Sequence, residues 1–188
     1  MDDVDAWMSA EPAIDFTSTG LLAFALLGKG AGQTPAQIAA ANGFYTDPDS
    51  NAQRWVAANP NDSRMPAIRD GIARNPGARW FGDWSGDIRA ATDAYVDAAT
   101  AAGKVPILVA YNIPKRDCGG QSTGGAANAA AYRQWITDFG AGVAGRAAIV
   151  ILEPDAVTQL DCLTQAQIDE RFLLIEHALA KFEGQAWT

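Results

Sequence analysis

Apolar positions along the chain fall into three helix-period stretches separated by short continuous apolar runs. The clearest stretch is Tyr132, Trp135, Ile136, Phe139 and Val143. Its spacing of i, i+3, i+4, i+7 and i+11 puts all five side chains on one helix face. Asn128 is placed to cap that helix and Gly145 to end it. A second helix fits 87–102, with Ile88, Ala91, Tyr95 and Ala99 on one face and Gly103 as its stop. A third begins at Thr164, where Gln167 completes a capping-box spacing, and runs to Phe182. The intervening runs ARWFG (78–82), Val105–Tyr111 and Ala147–Leu152 read as strands. The unbroken apolar character of ILVAY and AAIVIL predicts strands covered on both faces.

Strand and helix therefore alternate three times, which predicts an α/β fold with a parallel sheet and right-handed crossovers. Upstream, WVAANPNDSRMPAIRDGIARNP predicts short helical pieces broken by Pro60, Pro66 and Pro76. Residues 1–42 are weakly patterned and form an extension, with GKGAGQTP (28–35) as a linker. The run GLLAFALLG (20–28) is too short to span a bilayer. Its leader holds Asp2, Asp3, Asp5, Glu11 and Asp15 and no Lys or Arg, unlike a secretory signal. It reads as a short helix packed on the domain, or as the remnant of a signal region. Three strands are fewer than a closed barrel of about 250 residues needs. The expectation is the N-terminal part of such a barrel, truncated at its C-terminus, with an unpaired sheet edge.

Composition narrows the function classes. The 188 residues are 48% hydrophobic and 19% charged, with six tryptophans, as in a folded globular protein. A net charge of −8 argues against nucleic acid and against an anionic membrane surface as partners. A neutral polymer or small neutral substrate suits it. Two cysteines and one histidine are too few for a structural zinc site, and neither a metal nor a cofactor is expected. Cys118 and Cys162 either form one disulfide or remain two reduced core thiols. A bridge closing a loop of about 45 residues would stabilise by roughly 4 kcal/mol and imply an oxidising compartment.

Two aspartates mark the chemistry. Asp117 closes KVPILVAYNIPKRD and Asp155 closes AAIVILEPD, so each carboxylate stands where a strand opens into a loop. Parallel barrels keep catalytic groups at such strand ends. Two neighbouring acids resist carrying two charges, so one retains a proton, which is what acid/base cleavage of a glycosidic bond requires. Each aspartate could instead be a cap or turn residue, and the pair could instead bind Mg²⁺. Trp135 reads as core and His177 as structural; Asp83 and Asp161 read as caps or surface charges. Trp80 and Tyr111 could be packing residues. Glu153 is either a support of the site or a member of a buried ion pair.

The combination YNIPKRDCGG…STGGA, then ILEPD and a cysteine seven residues later, closely resembles glycoside hydrolase family 6. FYTDP…AQRWVAANPNDSRMPAIRD, ARWFG and NAAAYRQWITDFGAGV support the match over roughly residues 43–182. The resemblance implies a distorted parallel (β/α) barrel, partly present over 43–188, in a secreted enzyme that hydrolyses β-1,4-glucans with inversion. It implies Asp155 as general acid, Asp117 as the carboxylate that keeps that acid protonated, and Arg116 as a support holding Asp117. Trp80 and Tyr111 would contact the sugar. Gly119–Gly125 would be a loop over the substrate, with Ser122 and Thr123 as substrate contacts. Thr123 stands where a serine positions the attacking water. Cys118 and Cys162 match a family disulfide. Lys115 departs from the pattern, which has smaller or acidic residues there. The base half of the site, with its DAGH-like motif, has no counterpart in the closing EGQAWT. Weak or absent hydrolysis by these 188 residues is therefore expected, and a non-catalytic glucan-binding remnant is the alternative.

Overall fold

The computed structural model describes residues 24–27, 35–183 and 186–187. In chain order the elements are β1 (Phe24–Leu27), α1 (Pro35–Asn42), α2 (Asn51–Ala58), α3 (Met65–Ile68), β2 (Arg79–Phe81), α4 (Ile88–Ala101), β3 (Ile107–Ala110), α5 (Ala129–Val143), β4 (Ala148–Leu152), α6 (Gln165–Glu183) and β5 (Ala186–Trp187). Single helical turns lie between several of them. The expected strand and helix alternation is present from β2 to α6.

β2, β3 and β4 pair in parallel, with Phe81 beside Ala110 and Ala110 beside Leu152. The full sheet order is β2-β3-β4-β1-β5. The segment 20–28, expected as a helix or signal remnant, instead supplies β1, which pairs antiparallel with β4 from Phe24↔Ile151 to Leu27↔Ala148. The edge of β4 expected to be unpaired is thus satisfied within the chain, because exposed strand N–H and C=O groups accept any strand in register. β5 continues the sheet antiparallel to β1. Most of the linker at 28–35 lies outside the described residues, and Pro35 opens α1. Pro66 likewise starts α3 rather than breaking a helix, since a first-turn proline lacks only an N–H that has no helical partner.

The core lies between the sheet and α4, α5 and α6. Leu108, Ala110, Ala148 and Val150 point into it and are fully buried. Ile149 and Ile151, in the opposite register of β4, are only half-buried. Coverage on both faces was expected; one face of β4 is sealed by helices and the other is not. Phe139 is the aromatic hub, with ring centroids 5.8 Å from Phe81, 5.6 Å from Trp135 and 6.1 Å from Phe182. Each such buried ring contributes about 2–3 kcal/mol by leaving water. Asn128 caps α5 by accepting from Ala131 N at 2.9 Å, and Ala144 and Gly145 turn the chain out in left-handed conformations.

α4 and α5 pack in close contact at Gly142. A Cβ there would land on Thr92 Oγ1 and the Arg89 carbonyl. Thr92 is fully buried with its hydroxyl donated to Ile88 O at 2.8 Å, so it cannot retreat cheaply. Gly142→Ala should therefore cost about 1–3 kcal/mol despite alanine's better helix propensity. Chemical denaturation measures this, and an unchanged or raised midpoint would show that the helices can part at no cost.

Candidate active site

Because Ala110 and Leu152 are register partners, the loops after β3 and β4 leave the sheet side by side. Glu153 opens the second loop and joins it to the first. Its N–H donates to Ala110 O at 2.8 Å. Its carboxylate accepts from Asn112 N at 2.9 and 3.0 Å and from Ile113 N at 2.9 Å. The buried Tyr132 hydroxyl faces the same carboxylate from outside hydrogen-bond geometry. Burial pushes the Glu153 carboxyl up to about 7, against the opposing pull of those backbone donors and of Arg116. Of the two roles open for Glu153, the buried ion pair is not found: among the described residues it forms none within 4 Å, and its partners are backbone N–H groups.

The first loop is organised by Arg116, which is 5% exposed. Its Nη1 donates to Tyr111 O at 2.9 Å and its Nε to Ser122 O at 2.8 Å. Its ion pair is with Asp83 at 3.0 Å, not with Asp117 as expected. Asp83, read from sequence as a cap or surface charge, is thus the acid that holds this arginine. The physical reason is topological: Asp83 follows β2, the strand next to β3, and its exposed side chain reaches the guanidinium across the gap. Asp117 is held instead by the glycine-rich segment, accepting from Ser122 N at 2.6 Å. Gly120 permits this, since a Cβ there would lie 2.5 Å from Asp117 Oδ2. Ser122 and Thr123 are exposed at the loop's crest.

Two ties join the loops beyond Glu153. Cys118 and Cys162 are bridged, with Cα atoms 5.4 Å apart and a separation of 44 residues. This resolves the choice between disulfide and free thiols, and the closed loop contributes roughly 4 kcal/mol on the chain-entropy account. Arg171 of α6 is 3% exposed and donates to carbonyls of both loops: Pro114 and Lys115 at 2.9 Å, Gln159 at 3.1 Å and Ala156 at 3.2 Å. Sequence reasoning missed it. The available signal was its position, i−3 and i−7 from Leu174 and Ala178, on the face that α6 buries.

These ties hold an unusual backbone. Lys115, Asp117, Cys118, Glu153 and Asp155 have φ of 56°, 58°, 46°, 45° and 71°. For residues other than glycine such left-handed conformations cost about 1–2 kcal/mol each, less for aspartate. The Lys115 departure from the family pattern falls on one of them.

The sugar-contact candidates cluster at the same end of the sheet. Trp80 is 40% exposed and meets Tyr111 edge-on at 5.2 Å. Tyr111 is buried, and the Arg116 guanidinium lies 4.9 Å from its ring and from that of Trp84. Burial, then the charges of Asp155 and Asp117, push the Tyr111 hydroxyl up to about 12, so both candidate acids act on one phenol. Trp135 packs half-buried against the core, and His177 is half-buried on α6. Among the described residues, no group of three or more His, Cys, Asp or Glu side chains could hold a metal ion. No described helix is long and apolar enough to cross a membrane.

Comparison with known proteins gives a consistent picture. The pattern described as Glycosyl hydrolases family 6 matches residues 39–187. Endoglucanase 1 of Streptomyces halstedii is 56% identical over 146 residues, covering 77% of this chain and 46% of that protein. Endoglucanase A of Thermobispora bispora is 55% identical over 126 residues, covering 66% of this chain and 28% of that protein. The endoglucanase Cel6 from Mycobacterium tuberculosis was solved in complex with methyl-cellobiosyl-4-deoxy-4-thio-β-D-cellobioside. It superposes with a TM-score of 0.69 at 34% identity, over 76% of this chain and 48% of that one. The chain spans less than half the length of these relatives.

Glu153 yields a pH dependence of defined sign. Its folded-state value of about 7 lies above the ordinary 4.5, so between these values the folded chain holds a proton that the unfolded chain releases. Its contribution is complete below pH 4.5 and is lost as pH rises to 7, on the order of 3 kcal/mol in total. His177, whose value is lowered chiefly by burial, acts in the opposite sense but is common to both proteins compared. Unfolding free energies of the parent and of Glu153→Gln should differ in slope across pH 4.5–7, the variant lacking the decline. Parallel curves would mean that Glu153 is ionised throughout.

Proposed function

The chain belongs to glycosyl hydrolase family 6, and on that premise we propose that it carries the proton-donating side of a site that cleaves β-1,4-glucans. The observation that supports this most is the convergence of the Asp117 and Asp155 loops, which leave neighbouring strands and are joined by the Cys118–Cys162 bridge and by Arg171. In this reading Asp155 passes its proton to the glycosidic oxygen as the bond from that oxygen to the anomeric carbon breaks. Asp117, on the adjoining loop, is in this reading the carboxylate that keeps Asp155 protonated until substrate arrives. Water attacks the anomeric carbon from the opposite face and inverts it, and a carboxylate on that face takes the water's proton. No residue of this chain is assigned that last role.

Trp80, partly exposed, is the indole on which a pyranose ring would stack, and Tyr111 meets it edge-on at the strand end. Ser122 and Thr123, on the crest of the glycine-rich loop, face the substrate, with the Thr123 hydroxyl holding the attacking water. Arg116 positions this crest through the Ser122 carbonyl. The bridged cysteines favour an extracytoplasmic setting, where a polymeric glucan is met.

Two measurements separate binding from chemistry. Titration with cello-oligosaccharides should show Trp80→Ala weakening binding roughly tenfold, or about 1.4 kcal/mol. The weak reducing-end release expected from soluble β-1,4-glucan should fall to background for Asp155→Asn. Cleavage that survives Asp155→Asn would remove the donor assignment. Binding through Trp80 without any turnover would instead support the glucan-recognition reading alone.

A further inference from the structure

We propose that Arg171 positions the proposed acid pair, fixing the Asp155 loop against the Asp117 loop and so setting the separation of the two carboxylates. This rests on the acid-pair reading above, but its geometry stands independently. Each terminal nitrogen of the guanidinium serves a different loop. Nη2 donates to Pro114 O and Lys115 O, three and two residues before Asp117. Nη1 donates to Ala156 O and Gln159 O, one and four residues after Asp155. A planar fork with fixed angles converts those four bonds into a fixed relation between two backbones.

The disulfide cannot do this alone. It grips the first loop at Cys118, next to Asp117, but the second at Cys162, seven residues beyond Asp155. Seven residues can reach about 23 Å when extended, so the bridge by itself does not set a short separation between Asp155 and Asp117. Glu153 fixes the start of the second loop at the sheet, and Arg171 fixes the stretch just after Asp155. Asp155 thus sits between two anchors, in left-handed backbone with a φ of 71°. The Arg171 carbonyls also adjoin the strained residues on both sides, Lys115 and Asp155.

Among the described residues no carboxylate lies within 4 Å of the Arg171 guanidinium, so carbonyl dipoles meet its charge, with Glu153 acting at longer range. Burial draws the guanidinium below its ordinary value, a cost that an aliphatic residue on the same helix face would avoid.

The test compares the full chain with Arg171→Met, which keeps the stem and loses the fork, and Arg171→Lys, which keeps charge and three donors at a single point. Amide hydrogen exchange should accelerate at least tenfold in 114–122 and 154–160 together, while α5 amides keep their protection. Carboxyl ¹³C titration of Asp117 and Asp155 reads their coupling; the other titratable or charged groups around Tyr111, namely Glu153 and Arg116, are unaltered in both variants. The midpoints of the two aspartates should converge in Arg171→Met and be partly restored in Arg171→Lys. If Arg171→Met does not fold, Arg171→Lys carries both measurements. Loosening of only one loop, or of both with the midpoints unmoved, overturns the proposal. Independent titration of the two aspartates in the unmutated chain removes the acid-pair reading instead, and exchange in the two loops then decides whether Arg171 is a clamp.

Discussion

A carboxylate with no ion-pair partner can be buried only if backbone donors replace the water it gives up, and Glu153 is such a group. Three N–H···O contacts from Asn112 and Ile113 reach it, and its own N–H returns a bond to Ala110. That exchange extends the pairing of β3 and β4 past the last register pair, Ala110 and Leu152. The two loops therefore begin from one rigid point. Everything proposed for Asp117 and Asp155 depends on that shared origin, because two carboxylates influence each other's protons only over a few ångströms.

The loops then depart into left-handed backbone at five residues that are not glycine. Such conformations persist when the surroundings over-determine them. Here the surroundings are a disulfide, two buried arginines and a folded-back glycine segment. The arginines divide the work. Arg116 ties its own loop to the neighbouring strand ends through Tyr111 O, Ser122 O and Asp83. Arg171 reaches from a helix behind the sheet and touches both loops. Both cations are stripped of water and resolvated by carbonyls, which gives directional bonds at the expense of stability. That pattern suits a site whose geometry matters more than its contribution to folding.

Much of this was legible in the chain. The period of Tyr132 to Val143 specified α5, because only a helix puts those residues on one face, and Asn128 and Gly145 bounded it within two residues. The β-rich runs specified β2, β3 and β4, and the order of elements required them to be parallel. Ile-Leu-Glu-Pro-Asp and Arg-Asp-Cys marked the strand ends. What escaped the reading were interactions between residues far apart in sequence. Arg171 looks like a solvated charge on an amphipathic helix until α6 is docked. The Arg116–Asp83 pair spans 33 residues and links loops of different strands. The pairing of β1 with β4 crosses more than a hundred residues, and no local pattern announces it.

Local periodicity, turn chemistry and the apolar runs thus determined which segments are helices and strands, and which side chains stand at the strand ends. Those properties depend on neighbours within a few residues, so one chain read in order contains them. The tertiary structure alone decided which charge meets which. It gave Asp83 rather than Asp117 to Arg116, Ser122 N–H to Asp117, and both loops to Arg171. The reason is that a desolvated charge takes whatever donor or carbonyl the packing brings within 3 Å, and packing is set by the whole core rather than by any motif.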